Sequence, residues 1–318
     1  MAASATPQTP PRTLLDLIND FDNVPLSFET DCHPYYRLYL APDLRPHGYM
    51  LPDTVARMPW PTSFSVDHGE RSVTLAAPGP GATLTAHANG AFQLAVDAAI
   101  DSDLFPNLRQ THSEYFQVMG AHEPVQVERF AVPLFGMAGR GSHLTGYVRA
   151  PDRALQIWVA RRSRALFTYP GQLDSTVAGG VKASDTPLDC IVAEATEEAS
   201  LPEALVRARV QPVGVVTLAT RKAHSGLTHS DVLYVYDLEL PADVVPAPCD
   251  DEVESFTLMG CDEVRQRMLA GEFKPNVCAV MIDFMVRHGV VTAENEPDYV
   301  EICQRLRRRL PVPTSSGE

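Results

Sequence analysis

Residues Ala178 to Leu201 read AGGVKASDTPLDCIVAEATEEASL, and the way this stretch folds governs the reading of everything around it. Thr186 is an N-cap residue, Pro187 is preset for the first helical turn, and Asp189 stands where a carboxylate can close a capping box. The pattern predicts a helix that begins after Ser184 and runs to about Ala199. At about 100° per residue, Leu188, Ile191, Val192, Ala195 and Ala199 share one apolar face, and Glu194, Glu197 and Glu198 cluster on its flank. Like charges at these spacings cost a helix roughly 0.2–0.5 kcal/mol per pair. A cation held between them removes that repulsion, and hard carboxylate oxygens select Mg2+ or Mn2+ over zinc. A solvated acidic face is the plainer reading of any E-x-x-E-E. What differs here is the glycine pair Gly179 and Gly180 at a strand end, where backbone groups can approach a metal or a phosphate closely.

Outward from this helix, VQVERFAVPLFGM from Val125, LTGYVR from Leu144 and ALQIWVARRS from Ala154 read as strands joined by glycine-rich or charged turns. VQPVGVVTLAT from Val210 and DVLYVYDLEL from Asp231 read as strongly apolar strands. Two helices close the chain, one over about Val277 to His288 that stops at Gly289, the other from near Pro297 to before Pro311. Towards the other end, Thr13 caps a short helix, TLLDLINDF, with Leu14, Leu17, Ile18 and Phe21 on one face. Tyr35 to about Leu75 reads as short strands and turns, APGPGA at 77–82 as a turn, and FQLAVDAAI from Phe92 as a helix. Strands interleaved with helices predict an α/β (α+β) fold with a mixed sheet. The expected division is a disordered tail over 1–12, a smaller α+β domain over 13–122 and a larger domain over 123–318.

Composition excludes several classes of partner. Within 318 residues, 45% are hydrophobic and 21% charged, which suits a packed core and argues against wholesale disorder. No run approaches the roughly 20 apolar residues of a membrane-spanning helix, so no membrane partner is expected. Twenty-six basic against 40 acidic residues give a net charge of −14, which argues against sequence-independent nucleic-acid binding. A phosphorylated ligand stays possible, because repulsion is screened within roughly 8 Å and a divalent cation reverses the local sign. Six cysteines form no C-x2-C pair, so neither a zinc site nor a disulfide framework is expected. The first twelve residues lack the apolar core of a signal peptide, and a cytoplasmic location is the expectation, with organelle targeting left open.

The decisive segment resembles the Nudix box, G-x5-E-x7-R-E-U-x-E-E-x-G-U with U apolar. Gly179 takes the first glycine, Glu194, Glu197 and Glu198 the three helix glutamates, Ala195 the first U and Leu201 the last. Asp185 stands for the first glutamate, Ala193 for the arginine and Ser200 for the final glycine. The flanks TYPGQLDSTVAGGV, GEFKPNVCAVMIDFMVRHG and ENEPDYVEI, with LRQTHSEYFQV at 108–118, are similar to the thiamine-pyrophosphokinase-related Nudix proteins, in which an extra N-terminal domain precedes the Nudix domain. The resemblance implies a Nudix α/β/α sandwich behind a smaller α+β domain. It also implies Mg2+- or Mn2+-dependent hydrolysis of a small-molecule diphosphate, an oxidised or damaged thiamine diphosphate in particular, to the monophosphate plus phosphate.

On that reading Glu194, Glu197 and Glu198 hold the metal, with Glu197 or Glu198 also able to act as base, and the Gly179 or Gly180 carbonyl is a further ligand. Glu252 and Glu254 are secondary candidates for a base or outer ligand, against a role in solvating a strand entrance. Arg161, Arg162 and Arg164 are candidates for holding substrate phosphate oxygens, against a solvated turn. Arg305, Arg307, Arg308 and Arg309 are expected to meet the dipole at the end of the last helix. Trp158, Phe167 and Tyr169 could stack on a heteroaromatic ring, though core packing is the expected role of each. Cys190 is expected to pack. Isopentenyl diphosphate isomerases share the fold, but they need a cysteine near the strand that here reads Val177-Ala178-Gly179-Gly180. The alternatives that stay open are a non-catalytic diphosphate-binding module and a hydrolase of another nucleoside-diphosphate-linked compound.

Overall fold

The computed structural model describes residues 12–108 and 113–317; the tail expected over 1–12, apart from Arg12, and residues 109–112 of LRQTHSEYFQV lie outside them. Helix α1 (Leu14–Asn19) opens with the expected cap, the Thr13 hydroxyl accepting from the Asp16 N–H while the Asp16 carboxylate accepts from the Thr13 N–H. A four-stranded sheet follows, built from β1 (Tyr36–Leu40), β2 (Gly48–Met50), β3 (Phe64–Asp67) and β4 (Ser72–Leu75) in the order β2-β1-β4-β3. Only β1 and β4 run parallel within it. Between β2 and β3 lies helix α2 (Pro52–Arg57), which the sequence reading took as strand and turn; Pro52 starts it at the first helical turn. Helix α3 (Leu84–Asp101) covers this sheet and already begins at Leu84, where the Thr83 hydroxyl caps it, rather than at Phe92.

The stretch VQVERFAVPLFGM is not the continuous strand expected of it. It pairs only over β6 (Gln126–Glu128), antiparallel to β5 (Tyr115–Gln117), then makes a 3-10 turn at 129–131 and helix α4 (Val132–Phe135). Pro133 lacks a ladder donor and Gly136, at φ 62°, ends the helix in the left-handed region.

The larger sheet has seven strands. Strands β7 (Ala138–Arg149), β8 (Leu155–Arg162), β9 (Leu173–Asp174) and β10 (Val177–Gly180) precede helices α5 (Pro187–Ala199) and α6 (Glu203–Arg209). Strands β11 (Gln211–Arg221), β12 (Thr228–Glu239) and β13 (Val253–Gly260) follow. The order is β11-β12-β7-β8-β13, with β10 paired to β7 and β9 to β8. Only the β12–β7 pair is parallel, so the sheet is mixed. Helices α7 (Cys261–Leu269), α8 (Pro275–Arg287) and α9 (Tyr299–Arg305) close the chain. The sequence reading did not include α6 or α7.

Alternation along the strands sends side chains to two separate cores. Ile157, Val216, Leu218, Leu233 and Val235 meet α1, α7 and α8, while Leu144, Val177, Tyr236 and Leu238 meet α5 and α6. Helices on both faces of a mixed sheet make the α/β sandwich that was expected. Helix α1 belongs to this larger layer, its Leu14, Leu17 and Ile18 packing with α8 and α9.

The C-terminal arginines are not dipole caps. Arg305 and Arg308 both bind the fully buried Asp22, at 2.6 and 2.9 Å, and Arg307 pairs with the fully buried Asp283. Helix α9 ends at Arg305, so Arg307, Arg308 and Arg309 lie beyond it and reach across the fold instead.

Candidate active site

Strand β10 pairs with β7 so that Val177 faces Leu144 and Gly179 faces Ser142. Helix α5 lies across these two strands with Ile191, Val192, Ala195 and Ala199 buried against Leu144 and Val177. Thr186 is the expected N-cap, accepting from the Asp189 N–H at 3.1 Å, but the capping box is not closed: the Asp189 carboxylate accepts the Thr186 hydroxyl at 2.6 Å rather than its backbone N–H. Leu188 is the one member of the expected apolar face that stays exposed.

With its apolar face fixed, the helix brings its acids onto the glycine strand end. A Cβ built on Gly179 would stand 2.5 Å from Cγ and Cδ of Glu194, so only glycine leaves room for that carboxylate. Glu198 lies one turn further along, 8% exposed, with Oε2 accepting from the Ala178 N–H at 3.4 Å. Glu197 is exposed beside them. Burial, with the charges of Glu197 and Glu252 adding to it, pushes the Glu194 pKa up to about 7. Burial, the charge of Glu194 and that of Asp174 push Glu198 up to about 9. Each carboxyl therefore resists ionising as long as no cation stands between them.

Among the described residues none of the three glutamates forms a salt bridge, and no group of three or more acidic, histidine or cysteine side chains is gathered closely enough to hold a metal ion. The donors are hard oxygens whose mutual repulsion nearby cations meet only in part, and they lie next to backbone without side chains. That chemistry fits a hard divalent cation.

Glu252 contributes to the same field, since its charge is felt at both Glu194 and Glu198, whereas Glu254 faces Arg164 at 3.4 Å. The arginines after β8 have protein partners. Arg161 donates to the Gly171 carbonyl at 2.8 Å, and Arg162 to the Asp174 carboxylate at 3.1 Å and the Thr168 carbonyl at 3.2 Å. They tie down the loop 163–171. That loop holds Phe167 83% exposed and Tyr169 at φ 51°, so neither ring packs in the core as expected; Trp158 does, against the α5 layer. Cys190 packs as expected, its thiol donating to the Gly180 carbonyl and pushed up to about 12 by burial.

Sequence reasoning missed two cations beside the site. The charges of Lys182 and Arg129 both act on the Glu194 carboxyl, and a Cβ on Gly180 would lie 3.8 Å from Cζ of Arg129. Lys182 is one of three lysines in the chain, a signal that could have drawn attention; nothing around Arg129 marks it.

Fold and site together define a class by architecture: an α/β sandwich with a glycine strand end and a glutamate helix. A family model for the NUDIX domain matches residues 143–279. An uncharacterized protein of Saccharomyces cerevisiae, YJR142W, is 36% identical over 233 residues, covering 70% of this chain and 68% of its own. Nudix hydrolase 20, chloroplastic, of Arabidopsis thaliana is 38% identical over 213 residues, covering 66% of this chain and 55% of its own. Nudix hydrolase 24, chloroplastic, of the same plant is 38% identical over 182 residues, covering 57% and 48%. The chain thus spans about half the length of the two plant relatives. Residues 143–279 carry a NUDIX domain.

Proposed function

We propose that the protein is a divalent-cation-dependent diphosphatase of the thiamine-pyrophosphokinase-related branch. Its substrate on this reading is a thiamine-like diphosphate, oxidised or damaged thiamine diphosphate in particular, and its products are the monophosphate and inorganic phosphate. The observation that carries the hydrolytic part is the approach of Glu194 and Glu198 to Gly179 and Ala178. The substrate class and the division into domains over 13–122 and 123–318, with α1 of the first segment docked on the second, rest on the flanking motifs, TYPGQLDSTVAGGV above all.

On this reading Glu194, Glu197, Glu198 and the Gly179 carbonyl would hold Mg2+ or Mn2+. The bound cation offsets diphosphate charge and lowers the pKa of water. Glu198, once a bound cation had drawn off its proton, or Glu197 at the rim would be the carboxylate that takes the proton of the attacking water. The apolar packing of α5 fixes both carboxyls before substrate arrives.

A Mg2+-dependent phosphate-release assay over thiamine diphosphate, its oxidised analogues, ADP-ribose, NADH and dNTPs tests the reading. Fastest release is expected from the oxidised thiamine diphosphates. Release from another member alone would move the substrate assignment, and binding without release across the panel would make the protein a non-catalytic module.

A further inference from the structure

We propose that Arg129, seconded by Lys182, is the phosphate-binding arm of this site, supplied from outside the residues 143–279 that the family model matches. The inference rests on the diphosphate reading above and adds to it the residue that grips the phosphate oxygens.

Arg129 opens the 3-10 turn after β6, and its position is fixed on several sides. Its backbone N–H donates to the Glu114 carbonyl at 3.0 Å, and Nη1 donates to the Glu114 carboxylate at 2.5 Å. The guanidinium lies over the rings of Phe116 and Phe130, 5.6 and 5.9 Å from their centroids. The hairpin of β5 and β6 is in turn fastened to the glycine loop. Ala183 N–H donates to the Tyr115 carbonyl at 2.7 Å, and Arg140 Nη1 donates to Gln117 at 2.6 Å. The result is that Phe116 presses on Gly180, where a Cβ would stand 2.7 Å from its Cζ, with the Arg129 guanidinium just beyond at 3.8 Å.

Glu114 engages one nitrogen of the fork; Nε and Nη2 make no hydrogen bond among the described residues. A guanidinium lying over aromatic rings, with Nε and Nη2 open and its charge felt at Glu194, is arranged for a tetrahedral oxyanion. The other candidates are occupied, Arg161 and Arg162 by their own loop, and the box position that would hold an arginine is Ala193. Lys182 is exposed on the glycine loop beside Ala183, whose N–H is tied to Tyr115 of the hairpin, and its charge acts on both Glu114 and Glu194. Val177 and Gly179 face helix α5 whereas Gly180 faces Phe116 and Arg129, so Arg129 reaches the strand end from the face opposite Glu194 and a diphosphate held by both would straddle it. The segment preceding the NUDIX match would then complete the substrate site.

The test is calorimetric titration of methylenediphosphonate, a diphosphate mimic that resists hydrolysis, into Mn2+-loaded protein, with Mn2+ binding measured separately. Arg129→Ala is expected to weaken methylenediphosphonate binding at least tenfold and leave Mn2+ affinity unchanged. Arg129→Lys keeps the charge but not the fork and is expected to recover part of the loss; should Arg129→Ala fail to fold, a three- to tenfold loss in Arg129→Lys carries the test. For any substrate the wild type hydrolyses, KM should rise far more than kcat falls. Wild-type affinity in both variants, a matching loss of Mn2+ binding, or no methylenediphosphonate binding by the wild type would overturn the inference. Absence of phosphate release by the wild type would instead remove the diphosphatase reading and leave this binding comparison standing.

Discussion

Glu194 occupies the space in which the side chain of Gly179 would have to stand. The strand end and the helix are thereby locked in register, and a residue read as a metal ligand is held against a backbone stripped of its side chain. Gly179→Ala forces either the carboxylate or β10 to move. Overpacking of this kind costs about 1–3 kcal/mol, and the misplaced carboxylate should lower phosphate release at least a hundredfold. Phosphate release and thermal unfolding of the variant check this together. An alanine enzyme with wild-type turnover would mean that Glu194 is free to swing away without consequence.

Glu198→Gln separates charge from shape. Glutamine fills the same volume and can accept the Ala178 N–H, so the melting temperature in chelator should stay within a few degrees of wild type. Turnover should fall by orders of magnitude, and the rise in melting temperature that Mg2+ is expected to give the wild type should be lost, since ligand binding stabilises only where affinity is kept. Equal Mg2+ stabilisation in both proteins would remove Glu198 from the metal set.

Helix α5 and its partners were legible because each rests on local periodicity: Thr186, Pro187 and the apolar face fix the helix, and the helix then dictates where Glu194 and Glu198 go. Ser200 shows how a departure from a motif can be absorbed. It takes φ 54° where the Nudix box has glycine, and its hydroxyl donates to the Ala247 carbonyl at 2.9 Å, which offsets the cost of a left-handed serine. What could not be read were pairings between distant segments. Arg308 finds Asp22, Arg162 finds Asp174, and Arg129 reaches Gly180 through a hairpin, and no spacing along the chain encodes any of these. The exposure of Phe167 likewise follows from loop carbonyls held by Arg161 and Arg162, a tertiary cause invisible to composition.

The buried carboxylate of Asp22 binds Arg305, Arg308 and the Ala219 N–H, joining the end of α1 to β11 and the C-terminal segment. Removing one partner of a buried ion pair leaves a charge with neither water nor counter-ion, a loss of about 3–5 kcal/mol. Asp22→Ala should therefore lower unfolding free energy in urea by that order, with Arg308, 7% exposed, left stranded. A loss below about 1 kcal/mol would show that Arg308 swings out to solvent at little cost.

His143 gives the fold an acid limit that is separate from the glutamate site. Its ring is buried on β7, with Nδ1 2.8 Å from the Ser175 hydroxyl, and faces Asp174, Asp231 and Lys274. Burial holds its pKa down to about 4, against the raising effect of the two aspartates. In the unfolded chain an ordinary histidine titrates near 6.5. Between these values the unfolded state binds the proton and the folded state does not, so stability rises with pH across this window and is lost as pH falls from about 6.5 towards 4. The shift corresponds to about 3 kcal/mol from this one group, and below about pH 4 the loss levels off. His143→Gln, which can still bond Ser175, should flatten that part of the stability profile measured by urea unfolding at fixed ionic strength. Parallel wild-type and variant slopes between pH 4 and 6.5 would place the acid sensitivity elsewhere, with the carboxylates of Asp174 and Asp231 the next groups to replace.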